Sequence, residues 1–74
     1  MTEPDLLVDA RGLLCPWPVL RLGRAARELG RPGTIRLLAD DPLAAREVAQ
    51  LCTEREWEFV ADPQDSAGFT IVIR

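Results

Sequence analysis

The sequence predicts an α+β fold, a two-layer α/β sandwich in the order β-α-β-α-β-β with two helices on one face of a four-stranded mixed sheet. Three observations predict it. Glycine, proline and acidic turn residues cut the 74 residues into six elements. Two of these carry apolar residues at helical spacing, and four are short runs rich in Val, Ile, Leu and Phe. Two helices with one apolar stripe each bury them by lying on a common sheet. A β-α-β crossover is right-handed in nearly all folds, which leaves few topologies. No repeat, linker or low-complexity tract interrupts the chain, so residues 1–74 read as one domain.

The elements follow in order. Residues 5–10 form a short strand stopped by Gly12. A helix runs from about Pro16, a residue suited to the first helical position, to Leu29, and Gly30, Pro32 and Gly33 end it. On a helical wheel Val19, Leu22, Ala26 and Leu29 face the core, flanked by Ala25, while Arg21, Arg24, Arg27 and Arg31 face away. Residues 34–39 form the second strand. Asp40 and Asp41 offer N-caps for a second helix from Pro42 to about Thr53, with Ala44, Ala45, Val48, Leu51 and Cys52 inward. Residues 57–61 form the third strand, and the turn-rich stretch 62–68 leads into a closing strand, 69–74.

Composition removes whole classes of chemistry. The chain has no His, which excludes Ser-His and Cys-His nucleophile pairs. Two cysteines, Cys15 and Cys52, supply neither a thiolate zinc site nor a Cys-x-x-Cys redox motif, and no metal or cofactor is expected. A net charge of −3, with all nine cations Arg, disfavours direct nucleic-acid binding by bulk charge. The acidic N-terminus lacks the order of a signal peptide, and no apolar stretch is long enough to cross a bilayer. A cytoplasmic protein with no membrane association is expected.

Cys15 is the candidate for chemistry. It precedes Pro16 at the N-cap position of the first helix, where the helix dipole and free backbone N–H groups favour a reactive thiolate. Pro16 and Pro18 carry no N–H, so Trp17 and Val19 are the first-turn donors, and Pro18 stiffens Trp17. Cys52 falls on the apolar arc of the second helix and reads as a core residue. Asp9 and Arg11 orient the Cys15 loop or pair with each other, and Gly12 supplies a turn with positive φ. Trp17 is either an exposed anchor for a partner or folded over the core, and Arg21 and Arg24 either dock an acidic partner or are a solvated face.

The run Asp9-Ala10-Arg11-Gly12-Leu13-Leu14-Cys15-Pro16-Trp17-Pro18 strongly resembles the D-x-R-G-x-x-C-P-x-P signature of the TusA-like (SirA/YedF) sulfur carriers. Asp41-Pro42 resembles the Asp-Pro that opens the family's second helix, and the element order and length match. The resemblance implies a persulfide carrier in which Cys15 accepts sulfane sulfur and passes it on. The donor it implies is a protein such as a cysteine desulfurase or a rhodanese. The acceptor is a downstream protein serving tRNA thiolation, cofactor biosynthesis or sulfur oxidation. Such a carrier is a stoichiometric relay more than a turnover enzyme. Trp17 stands where the carrier for tRNA thiolation usually has Glu, and a Gly common before the third strand is absent from residues 53–57. Two rivals remain: a small regulatory or RNA-binding module using the Arg-rich helix face, and a redox sensor pairing Cys15 with Cys52.

Overall fold

Alternating side chains give the sheet one covered face. The computed structural model describes residues 3–74, so the first two residues of the N-terminal stretch lie outside it. It contains β1 (Leu6–Asp9), α1 (Trp17–Leu29), β2 (Gly33–Leu38), α2 (Pro42–Arg55), β3 (Glu58–Ala61) and β4 (Gly68–Ile73), in the expected order. The strands lie in the order β1-β2-β4-β3. β1 runs parallel to β2, as its helical crossover requires, and β4 pairs antiparallel with both β2 and β3. Ile71 therefore sits between Ile35 and Phe59, and the period of two brings Ile35, Leu37, Phe69 and Ile71 to one face. Against that face pack Leu22 and Ala25 of α1 and Ala44, Val48 and Cys52 of α2. The two helices thus rest on one mixed four-stranded sheet.

Element ends differ from the expected ones where pairing or capping decides. Gly33 joins β2 because it pairs with Ile73, and Gly68 joins β4 because it pairs with Leu38, while Arg74 has no partner strand to meet. β1 keeps only Leu6–Asp9, the residues opposite Ile35–Leu38. The stripe of α1 is rotated from the expected one. Pro18, Leu22 and Ala25 are its buried residues, and Val19, Ala26 and Leu29 pack at the margin of the core. Cys52 is 1% exposed, as its place on the apolar arc requires. No helix among the described residues is long and apolar enough to cross a membrane.

Both helices end in the left-handed region. Gly30 ends α1 with φ +63°, donating its N–H to the Ala26 carbonyl at 3.2 Å. α2 runs to Arg55, two residues beyond the expected end, and closes on Glu56 with φ +60°. The turn also takes Trp57 out of β3, because its N–H bonds the Cys52 carbonyl at 2.8 Å. A residue with a Cβ is strained there, and this is where the sequence lacks the glycine. Glu56→Gly is therefore expected to stabilise the fold by about 1 kcal/mol in urea unfolding, since relief of the left-handed penalty exceeds the added freedom of the unfolded chain. A loss of stability would show that Glu56 makes an interaction worth more than that strain.

Candidate functional site

The first helix begins one residue later than its prolines suggest. Pro16 (φ −100°, ψ 15°) is the N-cap, Trp17 is the first helical residue, and Cys15 lies one position ahead of the cap, joined to Pro16 by a cis peptide. The expected route from first-turn donors to the sulfur is not formed by Trp17. Its N–H bonds the Leu14 carbonyl at 2.9 Å, closing the turn around Cys15. Pro18 is buried and anchors the start of α1, while Leu14, Pro16 and Trp17 are exposed, Trp17 at 58%. Of the two readings for Trp17, the exposed one holds.

The loop is held from the neighbouring element. Gly12 takes the left-handed φ of +81° expected of it, and its N–H donates to Asp40 Oδ1 at 2.9 Å. The Cys15 N–H donates to Asp41 Oδ2 at 2.8 Å, and Asp41 Oδ1 accepts the Leu43 N–H at 3.0 Å as the N-cap of α2. One carboxylate therefore starts the second helix and fixes the backbone of the candidate nucleophile. These two N–H bonds hold the Asp41 carboxyl below its usual range.

The expected low thiol pKa is not found. The Cys15 thiol is pushed up from 9.0 to about 11, first by hydrogen bonding of the protonated thiol with the Glu47 carboxylate. Desolvation, the Glu47 charge and the Asp41 charge act in the same direction. Every neighbour that shifts the sulfur is thus acidic, and their field overrides that of a helix end the sulfur does not directly cap. Because the folded value is raised, the protonated thiol adds stability in full below about pH 9, and this is lost as pH rises through about 11. Cys52 is also raised, by burial alone.

Asp9 and Arg11 spend their charges on each other. The Arg11 Nε and Nη2 donate to Asp9 Oδ1 and Oδ2 at 2.9 and 2.8 Å, and the Arg11 backbone N–H donates to Oδ1 at 3.1 Å. Bonding to Arg11 lowers the Asp9 carboxyl to about 2, so this turn keeps its clasp at any pH well above that value. Arg21 and Arg24 stand on the outer side of α1, beyond Trp17, along a groove next to β1. Arg24 pairs with Glu28 at 3.2 Å, and Arg21 makes no ion pair among the described residues. The structure brings Cys15 together with Asp41 and Glu47 rather than with Arg11. Glu47 was hidden in the sequence because the wheel places it on the outward arc of α2. Asp40 and Asp41 were legible only as caps, although a second Asp before Pro42 is one carboxylate more than a cap uses.

Among the described residues no three His, Cys, Asp or Glu side chains are placed to hold a metal ion. The family model for the sulfurtransferase TusA matches residues 7–74. The crystal structure of a SirA-like protein from Desulfitobacterium hafniense superposes with a TM-score of 0.70 at 25% identity, covering 92% of this chain and 93% of that one.

Alkylation tests the acidic surroundings of the thiol. The rate of Cys15 with iodoacetamide is expected to follow a titration with a midpoint near 11, and Glu47→Gln is expected to move that midpoint down toward 9.0. Cys52 stays unlabelled while the protein is folded, being 1% exposed. A wild-type midpoint below 9.0 would restore the helix-end argument and contradict the role of Glu47.

Proposed function

The chain belongs to the sulfurtransferase TusA family, whose members carry sulfur in relays with other proteins, and on that premise we propose that Cys15 is the residue that carries it here. One observation supports this choice. Cys15 is the accessible thiol of the two, half-buried on a loop pinned by two carboxylates, whereas Cys52 is enclosed in the core. The residues 1–74 act in this reading as one carrier domain, in the cytoplasm.

The transfer balances without an external oxidant. The Cys15 sulfur attacks the outer sulfur of a donor protein's persulfide, forming a new S–S bond as the donor's own S–S bond breaks. The electron pair leaves on the donor sulfur, which takes up the proton that Cys15 gave away. Cys15 is left as a persulfide and the donor as a thiol. Reversal of these roles passes the outer sulfur to an acceptor cysteine. A cysteine desulfurase or a rhodanese suits the donor role, and acceptors of tRNA thiolation, cofactor biosynthesis or sulfur oxidation suit the other.

In this reading the thiol is activated at the encounter with a partner, which the raised thiol pKa supports. With a value about 11, only about one thiol in ten thousand is ionised at pH 7. A partner that sets a cation against Glu47 or Asp41 cancels the field that holds the proton. Asp9, Arg11 and Gly12 shape the loop, Pro16 and Pro18 frame its exit into α1, and Trp17, Arg21 and Arg24 form the docking side. The redox-sensor reading is disfavoured by the burial of Cys52, which leaves Cys15 no accessible partner in the folded chain. The RNA-binding reading is weakened by the pairing of Arg24 with Glu28 and of Arg31 with Asp5.

Intact mass after incubation with a cysteine desulfurase and free cysteine tests the proposal. The protein is expected to gain one sulfur atom, lost again on reduction. Cys15→Ser removes the gain and Cys52→Ala keeps it. Loading that survives Cys15→Ser would overturn the assignment.

A further inference from the structure

The two helices enclose a groove of about 370 Å³ between them. Its apolar lining is Gly23 and Ala26 of α1, Leu51 of α2 and Trp57 just beyond α2, all half-buried. Its charged lining is Arg27 from α1 and Arg55 from α2, both exposed, and no carboxylate lines it. Neither arginine makes an ion pair among the described residues. The acids beside them in sequence do not neutralise them, since Glu28 pairs with Arg24 and Glu54 and Glu56 are exposed without ion pairs among the described residues. Both arginines stand in the last turn of a helix, where the dipole favours a cation. That explains their sign but not the apolar cleft between them. Gly23 keeps the cleft open. Glycine weakens a helix interior, and a Cβ at position 23 would meet no atom within 4 Å, so no close approach requires it. Trp57 is held at the other side by its backbone N–H, which bonds the Cys52 carbonyl at 2.8 Å.

We infer that this groove docks a segment of a partner protein in which a large apolar side chain is flanked by carboxylates. Charge selects the flanks. One unpaired guanidinium stands on each helix, and each can take a carboxylate through two parallel N–H bonds. The lining selects the centre. Trp57 and Leu51 offer apolar surface to one inserted side chain, and Trp and Arg are the residue types that carry most binding energy at protein interfaces. A nucleic acid would supply the negative charge but leave the apolar lining unfilled. A second copy of this chain fits less well, because a two-fold axis through the groove would bring Arg27 and Arg55 toward their own duplicates. Arg27 lies ten residues beyond Trp17 in α1, about 15 Å along the axis. A partner held here therefore leaves the Cys15 loop uncovered. The inference goes beyond the proposed function, and its test reads binding alone, with no sulfur transferred.

The test titrates the full chain at low ionic strength with a blocked hexapeptide, Asp-Glu-Leu-Phe-Glu-Asp, and records backbone amide and indole N–H NMR shifts. The shifts are expected to centre on Gly23, Arg27, Leu51 and the Trp57 indole. Exchanging the four acids for their amides, or Leu and Phe for Ser, is expected to weaken binding at least tenfold. Arg27→Glu with Arg55→Glu is expected to do the same, whereas Arg46→Glu, outside the groove, leaves binding within threefold. Gly23→Leu fills the cleft where a side chain meets nothing, and is expected to abolish binding while sheet amide shifts stay native. The inference is overturned if the peptide does not bind, if either altered peptide binds like the parent, or if Gly23→Leu or the double reversal leaves binding unchanged. It is also overturned if phenylacetate binds as tightly as the peptide, which would make the groove a small-molecule site. Concentration-dependent shifts of the groove without peptide would overturn it in favour of a second copy.

Discussion

One carboxylate, that of Asp41, connects everything that places the candidate nucleophile. Oδ1 caps α2 through the Leu43 N–H, and Oδ2 takes the Cys15 N–H at 2.8 Å. The β1–α1 loop and the β2–α2 loop lie at the same end of a parallel strand pair, because both follow the C-terminal ends of β1 and β2. Asp40 adds the second tie through Gly12, whose φ of +81° turns the loop toward it. The loop that carries Cys15 is thus fastened to the rigid start of another helix, and its geometry is inherited from the sheet rather than from its own few residues.

The same arrangement explains the raised pKa of the Cys15 thiol. A clamp made of carboxylates brings negative charge, and α2 adds Glu47 against the sulfur. The helix-end field that favours a thiolate is a property of the first turn's free N–H groups. Here Pro16 and Pro18 have none, and Trp17 gives its own to Leu14. The thiol is therefore fixed in position but protonated. In the proposed relay, this separation of placement from activation would leave ionisation of the sulfur to the encounter with a partner.

The sequence made the fold legible wherever the signal is local. Short apolar runs between turn residues, the proline at the head of α2 and the glycine ending α1 appear where the structure has them. The β-α-β crossover narrowed the topologies to a few. What was not legible came from contacts distant in the chain. Asp41 lies 26 positions from Cys15 and Asp40 lies 28 from Gly12, and no periodicity announces such a bond. Glu47 sits on a helix face that a wheel assigns to solvent, yet it is half-buried and meets the Cys15 thiol. The late start of α1 was missed because two prolines fit its first turn and only the φ and ψ of Pro16 separate cap from helix. Asp9 and Arg11 were recognised as a pair or an orienting device, and their bidentate bond within one turn favours the former.

Amide hydrogen exchange at Cys15 and Leu43 tests the central claim most directly. If one carboxylate holds both N–H groups, both amides are protected in the wild type. Both then exchange fast in Asp41→Ala, while central sheet amides such as those of Ile35 and Ile71 stay slow. Protection at Cys15 that survives the substitution would show that the loop is held by something other than Asp41, and the account of the site would fail.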